Sequence, residues 1–342
     1  MDVYVFGTGA SAPYGAPTMA GFLAKAYGPW HLSQAGITDI DNELQIVAST
    51  IEEQYGVNLK EALERGSIGS LILEKVNVEK LLALADETKN NQLRQALERI
   101  IYKTIEDSIR EKGIQRDLDR EYGTLIKHIG AAKRDVCFIS FNYDLLLDHA
   151  LADVCHTLKL DWSYCLPFNA SIEHFGTYND NPNPKISLLK LHGSLNWLQC
   201  GNCGNLRLYY YISYDNLSRA NWPACKHCGR EQFHPVLVAP TPAKQIPLVL
   251  DTAWNRAAEY LKRTDNLTIV GYSFSALDRK ARALFLKNFI VPNLTSGSRP
   301  NLRLVIQDDG IRNMIKNWLL PAVDKHIEEY PTFEEFCLKI NQ

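Results

Sequence analysis

Val3-Tyr4-Val5-Phe6-Gly7-Thr8-Gly9-Ala10-Ser11 is the stretch from which the fold can be read. Four apolar residues in a row suit a strand buried on both faces. A Gly-x-Gly turn directly after such a strand is how a dinucleotide-binding βα unit begins. The turn lacks the third glycine of the usual fingerprint, so two readings stay open for it. It is either an ordinary strand-to-helix turn or a phosphate cradle. In the second case Gly7, Gly9, Ala10 and Ser11 bring backbone N–H groups to an anion at a helix start.

Further strands follow the same pattern. Asp135-Val136-Cys137-Phe138-Ile139-Ser140, Leu188-Leu189-Lys190-Leu191, Val236-Leu237-Val238, Leu267-Thr268-Ile269-Val270 and Leu302-Arg303-Leu304-Val305-Ile306 are short apolar runs bounded by turn residues. Helical spacing lies between several of them, over Leu248–Arg263 and Ala276–Asn288. Strands alternating with helices predict an α/β fold, a Rossmann-like parallel sheet with helices on both faces. Residues 21–129 have a different texture, rich in Leu, Ala, Glu, Lys and Gln. Apolar positions such as Leu93, Leu97, Ile101 and Ile105 recur there at helical spacing. This stretch reads as a helical insertion of four to six helices, inside a Rossmann-like domain formed by 1–20 and 130–342.

Composition narrows the function. The 342 residues are 46% hydrophobic, enough for a large core without disulfides. A formal net charge of −2 gives no basic excess, which argues against direct nucleic-acid binding. No signal peptide or membrane-spanning run is visible, so a cytoplasmic protein is expected.

Polar motifs stand at the ends of the expected strands, where ligands bind in open α/β sheets. Asn142, in Ser140-Phe141-Asn142-Tyr143-Asp144, suits a ribose hydroxyl or a water. Asp144 suits either a carboxamide or the cap of the helix that follows. His192 is followed by Gly193, which leaves backbone room. Gly271 and Ser273, in Gly271-Tyr272-Ser273, suit ribose or phosphate, and Asp308 follows the last strand. Each motif alone is weak; several on one sheet edge predict one site.

Cys200-x-x-Cys203-Gly204 and Cys225-x-x-Cys228-Gly229 are two of the tight pairs that structural zinc uses, within an expected ribbon at 196–232. Four thiolates close a tetrahedral Zn²⁺ site and leave no open position for chemistry. Redox activity fits two paired knuckles poorly.

As an ordered set these motifs resemble the sirtuin family. Gly7-Thr8-Gly9-Ala10-Ser11 resembles its GAGxS loop, Gly15-Ala16-Pro17 its GIP, and Ser140–Asp144 its TQNID segment. His192-Gly193 resembles its catalytic HG and Gly271-Tyr272-Ser273 its GTS, with the cysteine pairs between the last two. The resemblance spans about residues 1–20 and 130–310. It implies NAD as substrate, Asn142 and His192 as catalytic residues, and Pro17 among the NAD contacts.

Two departures qualify it. Thr18-Met19-Ala20 stand where deacylases carry DFR. Val238-Ala239-Pro240-Thr241-Pro242 stand where a strand ending FGE would meet an acyl-peptide, and proline suits strand pairing badly. These departures are more similar to the prokaryotic sirtuin-like branch that degrades NAD in anti-phage defence. The expected activity is therefore an NAD hydrolase, in a homo-oligomer or with a partner such as a DNA-translocating ATPase. The alternatives are an NAD-dependent lysine deacylase and a non-enzymatic NAD or ADP-ribose sensor.

Overall fold

The computed structural model describes residues 1–18, 21–32, 40–65, 76, 78–111, 120–132, 134–168, 181, 183–209, 224–231, 233–238 and 247–341. Seven strands form a parallel sheet. They are β1 (Asp2–Phe6), β2 (Val136–Ser140), β3 (Trp162–Ser163), β4 (Ile186–Lys190), β8 (Asn266–Val270), β9 (Asn301–Val305) and β10 (Ile327–Tyr330). Their spatial order is β10-β9-β8-β1-β2-β4-β3, and every neighbouring pair is parallel. Apolar side chains on both faces of β1, β2 and β4 force this sheet to be covered by helices on both sides.

The chain leaves β1 towards β2 and later returns to β8 on the other side of β1. That reversal is a topological switch point, and it opens a crevice beyond the carboxyl ends of the strands. The register aligns those ends. Val305, Val270, Phe6, Ser140 and Lys190 lie in one row across β9, β8, β1, β2 and β4. Whatever follows each of these strands therefore meets its neighbours.

A second sheet is antiparallel, ordered β6-β5-β7, with β5 at Gly193–Cys200, β6 at Leu206–Leu208 and β7 at Phe233–Leu237. Val236-Leu237-Val238, expected in the parallel sheet, lies here instead: β7 pairs antiparallel with β5. An apolar triplet fits either environment, so the run did not say which sheet it joins. β3 and β10 were not expected. β3 is only two residues long, and β10 carries Glu328-Glu329 on a half-exposed edge.

Among the described residues, six helices lie between the first turn and β2, over Phe22–Leu32, Asp41–Tyr55, Leu59–Glu64, Val78–Glu87, Asn91–Glu111 and Glu121–Ala132. Tyr122, Leu125, Ile126 and Ile129 of the last belong to the core around the parallel sheet. The other five build a separate core, including Leu44, Val47, Leu81, Leu97 and Ile101. Leu198, Cys200 and Phe233 of the second sheet share it, with Cys225 of the second cysteine pair. Among the described residues no helix is long and apolar enough to cross a membrane.

Candidate active site

The row of strand ends opens into a cavity of about 820 Å³, inside the roughly 300–1,000 Å³ range of small-molecule sites. Gly7, Gly9, Ser11, Pro17, Asn142, Asp144, His192, Gly271, Ser273 and Asp308 all line it. Ala10 does not; it is buried in the apolar core beside the turn. Met19, Ala20 and residues 239–242, which carry part of the departures from the deacylase pattern, lie outside the described residues.

The turns after β1 and β8 interlock. Gly9 donates its N–H to Gly271 O at 3.0 Å. A Cβ on Gly271 would stand 2.2 Å from Ala10 N and 2.4 Å from Gly9 C, and its φ of +62° is left-handed. Only glycine lets these two backbones pass.

Asn142 sits between the same turns. Its Nδ2 donates to Gly7 O at 2.9 Å and to Ser11 Oγ at 3.1 Å. A carbonyl only accepts, so the contact with Gly7 assigns the amide orientation. Oδ1 is consequently the other end. It is buried and accepts no hydrogen bond from the described residues. Ser11 also shares a hydrogen bond with Tyr122 at 3.1 Å, so its hydroxyl braces the loop.

Asp144 Oδ1 accepts from Leu146 N at 3.1 Å, at the start of the helix Leu146–Leu158, so it braces that helix as well as lining the cavity. Burial pushes its carboxyl above the usual carboxylate range; the Lys190 charge and the Ser11 hydroxyl oppose this. Lys190 is itself fully buried. Its Nζ donates to Asp144 O at 2.6 Å and to Asp148 Oδ2 at 2.9 Å, and Tyr164 donates to Asp148 Oδ1 at 2.5 Å. This buried cluster pins the loop that carries Asn142.

His192 occupies the short connection between β4 and β5, where the chain crosses from one sheet to the other. Its carbonyl accepts from Val238 N at 2.8 Å. A Cβ on Gly193 would lie 1.8 Å from Val236 O, and its φ is +87°. The glycine therefore makes room for β7. The imidazole meets Phe141 edge-on, with centroids 5.0 Å apart, and its Nε2 lies 2.8 Å from Asp278 Oδ2. Asp308 lines the cavity beyond β9, while its carboxylate caps the helix Asp309–Leu319 through Ile311 N at 2.7 Å.

Several lining residues were missed by sequence reasoning. Tyr272 and Asp278 come from the β8 end, and Phe22, Glu79, Ile101 and Ile105 come from the helices of 21–129. Asp278 is recognisable as a helix cap, since it accepts from Ala281 N at 3.1 Å. Nothing in the sequence announces that its other oxygen meets His192.

The four sulfurs of Cys200, Cys203, Cys225 and Cys228 lie within 4.8 Å of one another. Zn–S bonds of about 2.3 Å in a tetrahedron put sulfurs about 3.8 Å apart, so the cluster fits a structural Zn²⁺. The two knuckles match in detail. Gly204 N donates to Cys200 O at 2.9 Å and Gly229 N to Cys225 O at 2.7 Å, with φ of +74° and +71°.

No family model and no curated protein matches the sequence. Solved structures do match along 99% of the chain. A Sir2 homologue in complex with NAD shares 16% identity over 86% of its length, with a TM-score of 0.48. A Sir2 protein bound to a propionylated peptide shares 12% over 91%, at 0.46. A Sir2 homologue in complex with ADP-ribose shares 15% over 89%, at 0.46.

Proposed function

We propose that the chain hydrolyses NAD to nicotinamide and ADP-ribose. The observation that carries this reading is the buried Asn142 Oδ1, an acceptor without a donor among the described residues, in a cavity lined by residues that follow five aligned strands. A buried acceptor left unmade costs about 1–3 kcal/mol. A ribose hydroxyl or the attacking water is the donor that would satisfy it.

In the reaction the C1′–N bond breaks and its electron pair stays on the pyridinium nitrogen, which leaves as neutral nicotinamide. The sugar passes through an oxocarbenium-like state, as in glycoside cleavage. A water oxygen forms the new bond to C1′ and sheds one proton. Asn142 Oδ1 orients that water or the ribose, and His192 takes the proton. Asp144 faces the carboxamide, whose amide N–H can donate to its carboxyl oxygen. The Gly7–Ser11 turn takes the pyrophosphate, and Gly271, Ser273 and Asp308 the adenosine side. Zn²⁺ on the four cysteines holds structure.

Lysine deacylation would need an open strand edge for an acyl-peptide. At the end of β7, Leu237 O already accepts from Arg94 Nη2 at 2.7 Å and Val238 O from the Tyr143 hydroxyl at 2.8 Å. These occupied carbonyls favour water as the acceptor. The same reading makes the chain a regulated effector of anti-phage defence, with oligomer contacts or a partner ATPase acting through the helices of 21–129. Zinc-loaded protein, alone and with candidate partners, is incubated with NAD and assayed for nicotinamide and ADP-ribose. Asn142→Ala and His192→Ala are each expected to lower release at least about 100-fold. Undiminished release in both, or release only with an acylated peptide, overturns the assignment.

A further inference from the structure

His192 Nε2 and Asp278 Oδ2 are 2.8 Å apart, and the two side chains are 4% and 1% exposed. An ionised carboxylate has no hydrogen to give, so at this distance Nε2 is the donor. Asp278 is held from two further sides. The Tyr272 hydroxyl donates to Oδ2 at 3.2 Å, and Ala281 N donates to Oδ1 at 3.1 Å. Tyr272 is in turn stacked on Phe141, with centroids 4.0 Å apart and planes at 4°. Phe141 packs edge-on against His192. The carboxylate and the ring are thus fixed by the same cluster, and neither can rotate away without breaking a buried contact.

We propose that Asp278 is the positioning residue of the site: it holds His192 as the tautomer with hydrogen on Nε2 and strengthens the ring as a base through Nδ1. When Nδ1 takes the proton shed in cleavage, the imidazolium forms against a carboxylate already in place, in surroundings where that pairing is stronger than in water. The identity of the reaction rests on NAD hydrolysis as proposed above. The hold of Asp278 on His192 does not.

Other titratable groups surround the ring. Tyr143, after β2, has its ring centroid 6.3 Å away. Glu79, on Val78–Glu87, and Asp144 line the same cavity. Lys280 Nζ lies 4.7 Å from the Trp254 ring centroid, and Trp254 flanks His192. Burial pushes the hydroxyls of Tyr143 and Tyr272 far up, so both stay neutral where a histidine titrates. Glu79 and Asp144 favour the imidazolium when ionised, and Lys280 opposes it. Asp278→Asn changes one charge and leaves these.

The test uses full-length, zinc-loaded protein with isotopically labelled histidine. The His192 resonance is assigned by its loss in His192→Gln. In the wild type, NMR is expected to show hydrogen on Nε2 and a titration midpoint above that of an ordinary histidine. Asp278→Asn removes the charge. Asp278→Ser keeps a helix cap while removing the carboxylate. Both should lower the midpoint by roughly 1–3 pH units, the size of an adjacent opposite charge. In the NAD assay kcat should fall at least about 100-fold with KM nearly unchanged. The acid limb of the rate should follow the NMR midpoint downwards. A wild-type ring protonated on Nδ1, or a midpoint unmoved in both variants, overturns the proposal, and the first needs no variant to fold. A shifted midpoint in a protein that never releases nicotinamide upholds the role of Asp278 and removes NAD hydrolysis instead.

Discussion

Lys190 shows how individual residues hold the candidate site. It ends β4 facing inward, and its ammonium is 1% exposed. A lone buried charge is expensive, so its value lies in what it pairs with: Asp148 and the carbonyls of Tyr143 and Asp144. Lys190→Met leaves Asp148 buried and uncompensated. It should cost about 3–5 kcal/mol in urea unfolding. Lys190→Met with Asp148→Leu, which removes both charges, should recover most of that. If the double variant is no better than the single one, the carbonyls of the 143–144 loop are what the lysine serves. Gly271→Ala tests the other side of the cavity. Its Cβ would press on Ala10 N and Gly9 C, both backbone, so no rotamer change relieves it. NAD affinity, read by calorimetry on His192→Ala background protein, should fall at least tenfold. Unchanged affinity would mean that the turn does not bind the pyrophosphate.

At the scale of elements, the cysteine-bearing sheet joins the two halves of the site. β5 begins one residue after His192 and ends on Cys200, so the knuckles anchor the strand that emerges from that histidine. Its core is shared with the helices of 21–129. Arg94, on Asn91–Glu111, bonds Asp86 at 2.8 Å, Glu98 at 2.8 Å and Leu237 O at 2.7 Å, which ties helices to β7. Metal loss should therefore loosen more than the ribbon. One zinc per chain is expected by elemental analysis. Its removal by a chelator, or Cys203→Ser, should lower Tm and speed hydrogen exchange in both the ribbon and Asn91–Glu111. Exchange confined to the ribbon would show the shared core to be weakly coupled. Element by element, much of this was legible. β1, β2, β4, β8 and β9 contain short apolar runs bounded by turn residues, which suit buried strands, and the helices of 78–111 have clear spacing. β3 and β10 were not legible, because a two-residue strand and a half-exposed edge leave no periodic signal.

For the whole molecule, the cavity lies where two cores meet. The parallel sheet supplies its floor through aligned strand ends, and Phe22, Glu79, Ile101 and Ile105 form a wall from the helices of 21–129. Those four side chains bring the helices of 21–129 directly to the cavity. Ile105→Trp adds bulk at the wall without touching Asn142 or His192. It should raise KM for NAD at least about tenfold, with some loss of Tm because Ile105 is itself buried in the helical core. An unchanged KM would mean that the substrate does not reach this side.

The sequence by itself determined the alternation of strands and helices, the Gly-rich turn, the cysteine quartet, and the candidates Asn142 and His192. Each is a local pattern, set by the few residues around it and by backbone chemistry that does not depend on distant neighbours. The tertiary structure decided what those residues face. It aligned the strand ends in one row, sent Val236 and Leu237 to the second sheet, turned Ala10 into the core, and left Asn142 Oδ1 an acceptor without a donor among the described residues. It also brought Asp278 to His192 across 86 positions of sequence. Contacts of that span follow from sheet register and from the packing of two cores. No local stretch encodes them, because the residues that meet share nothing but the fold that joins them.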